Sequence, residues 1–489
     1  MKRYLSGELD DLVSFSPSSF LSLDNLSKNA NVDRNLLVTV LREQYELISH
    51  EKVLQNISSL SRDDVFTVTT QQVHPFLGPL FFVFKLLHTV RLAEERTKNA
   101  DASFVPVFWL ASEDHDLEEV ARVPVYGQDF FRETEQDGAV GRMNPSSLIS
   151  LCDCLEERLD DEDINKQYFS LFREAYGRFS TLSQATHWIL DSLFDSIVVI
   201  DADDRRLKSA FMDVMVDDVV HESLAPLLRA QTKKVEDFDV KAQVYVRERN
   251  FFHLDENGKR TLIKDASYDE TYIRQYPERF SPNALLRPLY QEAILPNLVY
   301  IAGPSETRYW FQLKEVFLHA GLSQPLVLPR QMNVVLLKNQ EKLASWIDKY
   351  EWLSWSNFLK EEELLSLIKK FSTGEIDDLE SVYADLSVKI ESFVSAVQTS
   401  SLKKPRQAFD NLNKWRLGRW LEEQSTLGLE DSKEFAPLLK MKRKFFDASA
   451  PVERIKYCVE YRGLIDEMKK NYADVMKDVG SDNLNIWVS

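Results

Sequence analysis

Phe104-Val-Pro-Val-Phe-Trp-Leu-Ala111 is an unbroken apolar run, and Ser112-Glu-Asp-His-Asp116 ends it abruptly. A run with no polar position on either face of its pleat predicts a parallel strand covered on both sides. Pro106 counts against a central strand unless it sits at the strand's start or at a bulge. Ligands of open α/β sheets bind beyond the carboxyl ends of the strands, where this run delivers its polar residues. Glu113, Asp114, His115 and Asp116 crowd like charges together, which costs energy unless a cation, an ammonium or a proton sits among them. An acidic helix start capped by Ser112 or Asp114 accounts for the same residues without a site.

The flanking sequence repeats the alternation. Val65 to Thr69 is β-branched and predicts a strand, and the segment from Pro79 to about Arg96 predicts a helix with proline at its first position. With 104–111 this makes a strand–helix–strand unit with a right-handed crossover. Ser196–Asp201, Asn297–Gly303 and Pro325–Pro329 are further core strands, Val240–Val246 alternates as an edge strand would, and Asp255-Glu-Asn-Gly258 predicts a hairpin turn. The expected fold class is α/β, a Rossmann-like doubly wound parallel sheet, occupying residues 1–335 with inserted segments at roughly 127–195 and 225–290. Ile376, Leu379, Tyr383, Leu386, Ile390, Phe393 and Val397 keep a 3.5-residue spacing, so 336–489 is expected to form an α-helical coiled coil, with a homodimer through it.

Composition narrows the function classes. Sixty basic against 78 acidic residues give a net charge of −18, which repels phosphate backbones and argues against a nucleic-acid partner. The longest apolar stretch, Phe76–Leu87, is too short to span a bilayer, so no membrane partner is expected. Cys152, Cys154 and Cys458 are too few for a disulfide framework, which favours a cytoplasmic, reducing location. No zinc spacing, Walker loop, dinucleotide fingerprint or Ser-His-Asp arrangement is present, and no metal site or tightly bound cofactor is expected.

Three further segments could carry chemistry. Thr69-Thr-Gln71-Gln72-Val-His74-Pro-Phe-Leu-Gly78-Pro79 joins the first strand to its helix, whose free N–H groups favour an anion. In Glu278-Arg-Phe-Ser-Pro-Asn283 and shortly after it, Arg279 and Arg287 offer forked donors for a carboxylate or phosphate, although surface ion pairs would use them equally well. Gly303-Pro-Ser-Glu306 again places a glycine turn at the sheet's ligand edge, as a plain tight turn also would.

Taken together, Trp109-Leu-Ala-Ser-Glu-Asp-His-Asp116, Glu278-Arg-Phe-Ser-Pro-Asn283, Leu286-Arg-Pro-Leu-Tyr-Gln-Glu292, Gly303-Pro304, Tyr309-Trp310 and Gln312-Leu-Lys314 resemble the signatures of the bacillithiol biosynthesis cysteine-adding enzymes, a family also named putative cysteine ligases. The likeness covers nearly the whole chain, dense over 278–330 and faint over 340–440. It implies a core related to class I aminoacyl-tRNA synthetases and nucleotidyltransferases. It also implies a ligase that adds cysteine to the amine of glucosaminyl malate, with ATP as co-substrate to activate the cysteine carboxylate. The residues then divide by expected role. Asp114, His115 and Asp116 are the catalytic set. Glu113, Arg279, Asn283 and Arg287 bind substrate. Thr69, Gln71, Gln72, His74, Gly78, Lys85 and Gly303 lie near the nucleotide. One departure is local: Thr70 stands where the family has glycine, and its β-carbon limits backbone approach to a phosphate. A non-catalytic relative and a nucleotidyl-transfer enzyme acting on another amine are the competing expectations.

Overall fold

The structure, a computed structural model, describes residues 2–17, 32–46, 50–72, 74–100, 102–125, 128–132, 134–157, 163–256, 258–336 and 484–488. The expected coiled-coil heptads lie outside these residues. In chain order, β1 (Val65–Gln72) leads through a buried loop into α1 (Leu80–Asn99) and β2 (Ser103–Leu110). Two helices, α2 (Asp163–Arg178) and α3 (Leu182–Leu193), precede β3 (Val198–Asp201) and α4 (Arg205–Ser209). Three short strands follow: β4 (Phe251–Leu254), β5 (Arg260–Leu262) and β6 (Phe280–Pro282). Then come α5 (Arg287–Ile294), β7 (Asn297–Ala302), α6 (Pro304–Trp310) and β8 (Leu326–Pro329).

Five strands form one parallel sheet in the order β8-β7-β1-β2-β3. The chain builds outward from β1 to β3 on one side and then returns to add β7 and β8 on the other. The strand order therefore reverses between β1 and β7, the place where doubly wound sheets open a crevice. Both faces are buried. Val105, Val107 and Trp109 pack in one apolar cluster with Val198, Ile200 and Tyr300, whereas Phe104 joins Phe66, Val68, Leu92 and Ala93 in the opposite one. Fully burying each such side chain stabilises by about 1.5–3 kcal/mol, so the uninterrupted apolar run follows from two-sided cover.

Pro106 is accommodated by register. Residues 103–110 of β2 pair with β1, but β3 pairs only from Val107 onward. At Pro106 the strand therefore has a single neighbour, and the missing N–H leaves no gap in a two-sided ladder. The hairpin at 255–258 is present, joining β4 to β5, and β6 pairs on the other edge of β4. Val240–Val246 is not a strand. It is an irregular segment held by Gln312, whose Oε1 accepts the N–H groups of Gln243 and Val244. No helix among the described residues is long and apolar enough to cross a membrane.

Candidate functional site

A cleft of about 470 Å³ opens at the carboxyl ends of the central strands. Gln71 at the end of β1, Trp109 and Leu110 at the end of β2, and Ala202 and Asp203 just beyond β3 form its floor. Phe252, Arg260, Leu262 and Pro282 of the small antiparallel sheet form one wall, with Asn283, Arg287 and Tyr309 closing the rest.

The turn after β2 sits in this cleft on a buried support. Ser112 Oγ donates to Asp201 Oδ1 at 2.5 Å. The segment 139–142 lies against the turn, with Gly141 N–H donating to Ser112 O and Val140 N–H to Asp114 O. A β-carbon at Gly141 would stand 2.4 Å from Ser112 Cα and 2.4 Å from Ser183 Oγ, so only glycine permits the contact. Beneath the turn, fully buried Lys208 of α4 reaches Glu113 at 2.5 Å and Asp203 at 3.0 Å. Arg142 holds Asp203 from the other side at 2.6 Å. Desolvation opposes ionisation of Asp203, but Lys208 and Arg142 outweigh it and hold its carboxyl down at about 2. The same balance favours charged Lys208, whose own desolvation is offset by Glu113 and Asp203.

Above this support Asp114 and His115 are half exposed and line the cleft. Asp114 Oδ1 accepts the backbone N–H of His115 at 2.7 Å. Burial works against its charge, yet the Arg260 guanidinium and the backbone N–H of His115 prevail and keep the carboxyl below its ordinary range. His115 Nδ1 is 2.5 Å from Arg260 Nη1.

Arg287 faces the same space in a different electrostatic state. Its guanidinium lies over the rings of Trp109 and Tyr300, at 5.7 and 5.5 Å from their centroids. Nη1 donates to Gln291, while Nη2 is buried with no hydrogen-bond partner. Among the described residues no carboxylate forms an ion pair with it. Glu306 acts on this guanidinium without a direct ion pair, so an anion in the cleft could still pair with the buried Nη2.

The remaining residues expected from sequence are placed as follows. Glu113 and Asn283 line the cleft, but Asn283 is committed: its Oδ1 caps the N–H groups of Leu285 and Leu286, and its Nδ2 donates to Asn250. It orients the start of α5 and hence Arg287. Asp116 is exposed and is not part of the lining. Arg279 lies apart from the lining, donating to Tyr272 OH and Glu256 and packing on Tyr276.

Of the described loop residues, only Gln71 lines the cleft. Thr69 is buried and accepts from Gln291. His74 through Pro79 are all buried, with Phe76 against Phe172 and Tyr176 of α2 and its N–H donating to the Tyr176 hydroxyl. Gly78 has φ +60, and a β-carbon there would stand 2.8 Å from His74 Cβ. Lys85 is buried in an ion pair with Glu306 at 2.5 Å and points at Gln71 O and Gln72 Oε1. Glu306 also accepts from Gln71, Tyr300 and the N–H of Gly303. Burial would raise its pKa, but Lys85 and these donors hold it at about 2. The helix start that sequence assigns to a nucleotide is thus covered by apolar side chains, and its lysine is neutralised.

Lys208, Arg142 and Arg260 are functional neighbours that local pattern does not reveal. Each is a single cation in an ordinary helix, loop or hairpin, and only the tertiary fold brings it to the acid turn.

Two comparisons bear on this geometry. Residues 16–331 match the family described as "Bacillithiol biosynthesis BshC, N-terminal Rossmann-like domain". The chain belongs to the BshC family. Among BshC relatives, a protein of Flavobacterium johnsoniae named "Putative cysteine ligase BshC" is 31% identical, covering 81% of this chain and 81% of its own length. One of the same name from Cytophaga hutchinsonii is 32% identical over 76% of this chain and 75% of its own. A third, from Flavobacterium psychrophilum, is 28% identical and spans 98% of this chain and 92% of its own. The two family signatures richest in polar residues, 109–116 and 278–292, contribute side chains to one cleft.

Proposed function

We propose that this chain is a cysteine ligase that forms the amide between the carboxyl of cysteine and the amine of glucosaminyl malate, the last step of bacillithiol biosynthesis. Family membership and the names of the relatives support the reaction class. The observation that carries it to the site is the polarity of the cleft: Arg287, with its buried Nη2 lacking a hydrogen-bond partner, on one wall, and ionised Asp114 beside His115 on the turn after β2. A substrate bearing malate carboxylates and an amine matches that pair of charges. Arg287 binds a carboxylate through its forked donors. Asp114 and His115 orient the amine and handle its proton as the nitrogen attacks the activated carboxyl carbon, the C–N bond forms and the bond to the leaving group breaks.

Amide formation from a free acid is uphill in water, so the proposal includes ATP as co-substrate. The 74–79 loop does not fit a polyphosphate as it stands, because its residues are buried and Lys85 is paired with Glu306. No step is therefore assigned to that loop. The same observation favours a second reading, a relative that retains the fold and substrate cleft without nucleotide chemistry.

Purified protein supplied with cysteine, glucosaminyl malate and ATP, with the thiol product followed by mass spectrometry, tests the proposal. Product formation and nucleotide consumption in step are expected. Calorimetric binding of glucosaminyl malate without ATP binding or turnover would favour the second reading.

A further inference from the structure

Arg260 is fixed in the cleft by three independent contacts. Nε donates to Ser281 Oγ at 3.2 Å, Nη2 donates to Pro282 O at 2.9 Å, and the guanidinium carbon lies 3.8 Å from the centre of the Phe252 ring. A guanidinium is planar, so two bonds and one stacked face determine where its last nitrogen points. That nitrogen, Nη1, points at His115 Nδ1 across 2.5 Å. The His115 ring itself packs on Phe252 at 5.5 Å.

The chemistry of this contact has one solution. Arginine has five donors, no acceptor, and does not lose its proton in proteins. His115 Nδ1 therefore accepts, and the proton of the neutral imidazole resides on Nε2. The alternative partner for a protonated Nδ1, Asp114 Oδ1, is 3.7 Å away, too far for a hydrogen bond. We propose that Arg260 is a positioning residue that holds His115 as its Nε2–H tautomer, so that the imidazole donates a hydrogen bond to substrate and Asp114 is the group that accepts the proton from the attacking amine. The role assigned to each side chain rests on the ligase reading above; the tautomer does not.

The proton balance is simple. The neutral amine attacks the activated carboxyl carbon and gives one proton to the Asp114 carboxylate as the C–N bond forms; the bond from that carbon to the leaving group breaks, the leaving group keeps the bonding pair, and Asp114 releases the proton to solvent at the half-exposed turn. His115 keeps its proton throughout and stabilises developing charge on oxygen through Nε2–H.

Long-range nitrogen–proton correlation spectra of the full chain with ¹⁵N-labelled histidine test the tautomer with no substrate present, the His115 signals being assigned by their loss in His115→Gln. An unprotonated Nδ1 and a protonated Nε2 are expected, relaxing to a mixed tautomer in Arg260→Met. The reverse tautomer in the wild-type protein, or no change in Arg260→Met, overturns the proposal. Kinetics test the roles. Glutamine places an amide N–H close to where Nε2–H lies, so His115→Gln is expected to stay within about tenfold of wild type, while Asp114→Asn loses about 10²–10⁴-fold as a missing proton acceptor does. His115→Asn, which mimics Nδ1 instead, should fall well below His115→Gln. If His115→Gln is as inactive as Asp114→Asn, with both folded by circular dichroism, His115 is the base and the assignment fails. Absence of turnover in the wild-type protein alongside the expected spectra would remove the ligase reading and leave the tautomer standing.

Discussion

Two loops leave neighbouring strands at the same sheet edge and meet opposite fates. The loop after β1, 74–79, is rich in the residues expected of an anion site, yet it is buried under Phe172 and Tyr176. The turn after β2, 111–116, looks like an acidic helix start, yet it is the one that faces the cleft. Each is backed by a buried lysine. Lys85 is spent on a carboxylate already saturated by Gln71, Tyr300 and Gly303. Lys208 instead supports two acids, Glu113 and Asp203, that belong to the cleft lining. Polarity at a strand end thus marks a place where charge must be managed, and the fold decides whether it is enclosed or presented.

The contrast predicts that the first loop governs stability and the second governs turnover. The largest effect is expected from Glu306→Ala, which leaves buried Lys85 without its counter-charge and should destabilise by about 3–5 kcal/mol, read as a lower urea midpoint. Asp114→Asn should do the reverse, lowering turnover by at least about 100-fold while leaving the unfolding midpoint within error. Gly78→Ala should lower stability by more than about 1 kcal/mol, since φ is +60 and the new β-carbon would meet His74 Cβ at 2.8 Å. A turnover defect in Gly78→Ala at full stability would break the comparison.

A smaller effect is expected on the pH profile of stability. Burial raises the Glu292 carboxyl to about 8 from an ordinary 4.5. The folded state then holds a proton that the unfolded state releases between those values, so this contribution is complete below the lower value and is lost as pH rises through about 8. Glu292→Gln should flatten that decline, measured as melting temperature against pH. The smallest effect concerns Arg279: its alanine variant should leave the Michaelis constant for glucosaminyl malate unchanged, whereas Arg287→Ala should raise it. Equal effects would mean that the cleft extends to Tyr272 and Glu256.

The parallel core was legible because a strand covered on both faces is predominantly apolar, as Phe104–Ala111, Val198–Ile200 and Leu298–Ala302 are. The hairpin at 255–258 was legible from its turn residues. Val240–Val246 was misread because alternation also arises where a segment lies on a surface, and Gln312 rather than a neighbouring strand takes up its N–H groups. At the site, the acid turn and Arg287 could be picked out from strand ends and family signatures. Arg260 could not, since nothing local distinguishes a cation that will be buried from one that will be solvated. For the same reason the burial of 74–79 was invisible: its cover comes from α2, about a hundred residues downstream.

Gly141 gives the cleft an asymmetric tolerance to change. Side chains that project from the acid turn toward solvent can be exchanged one at a time, but the seam between residues 112, 141 and 183 has no spare volume for even a methyl group. Efforts to retarget this protein to other amines would start from Arg247 and Leu262, which line the cleft and take no part in that seam. Along the seam, a new residue would demand that three distant stretches of backbone be redrawn at once.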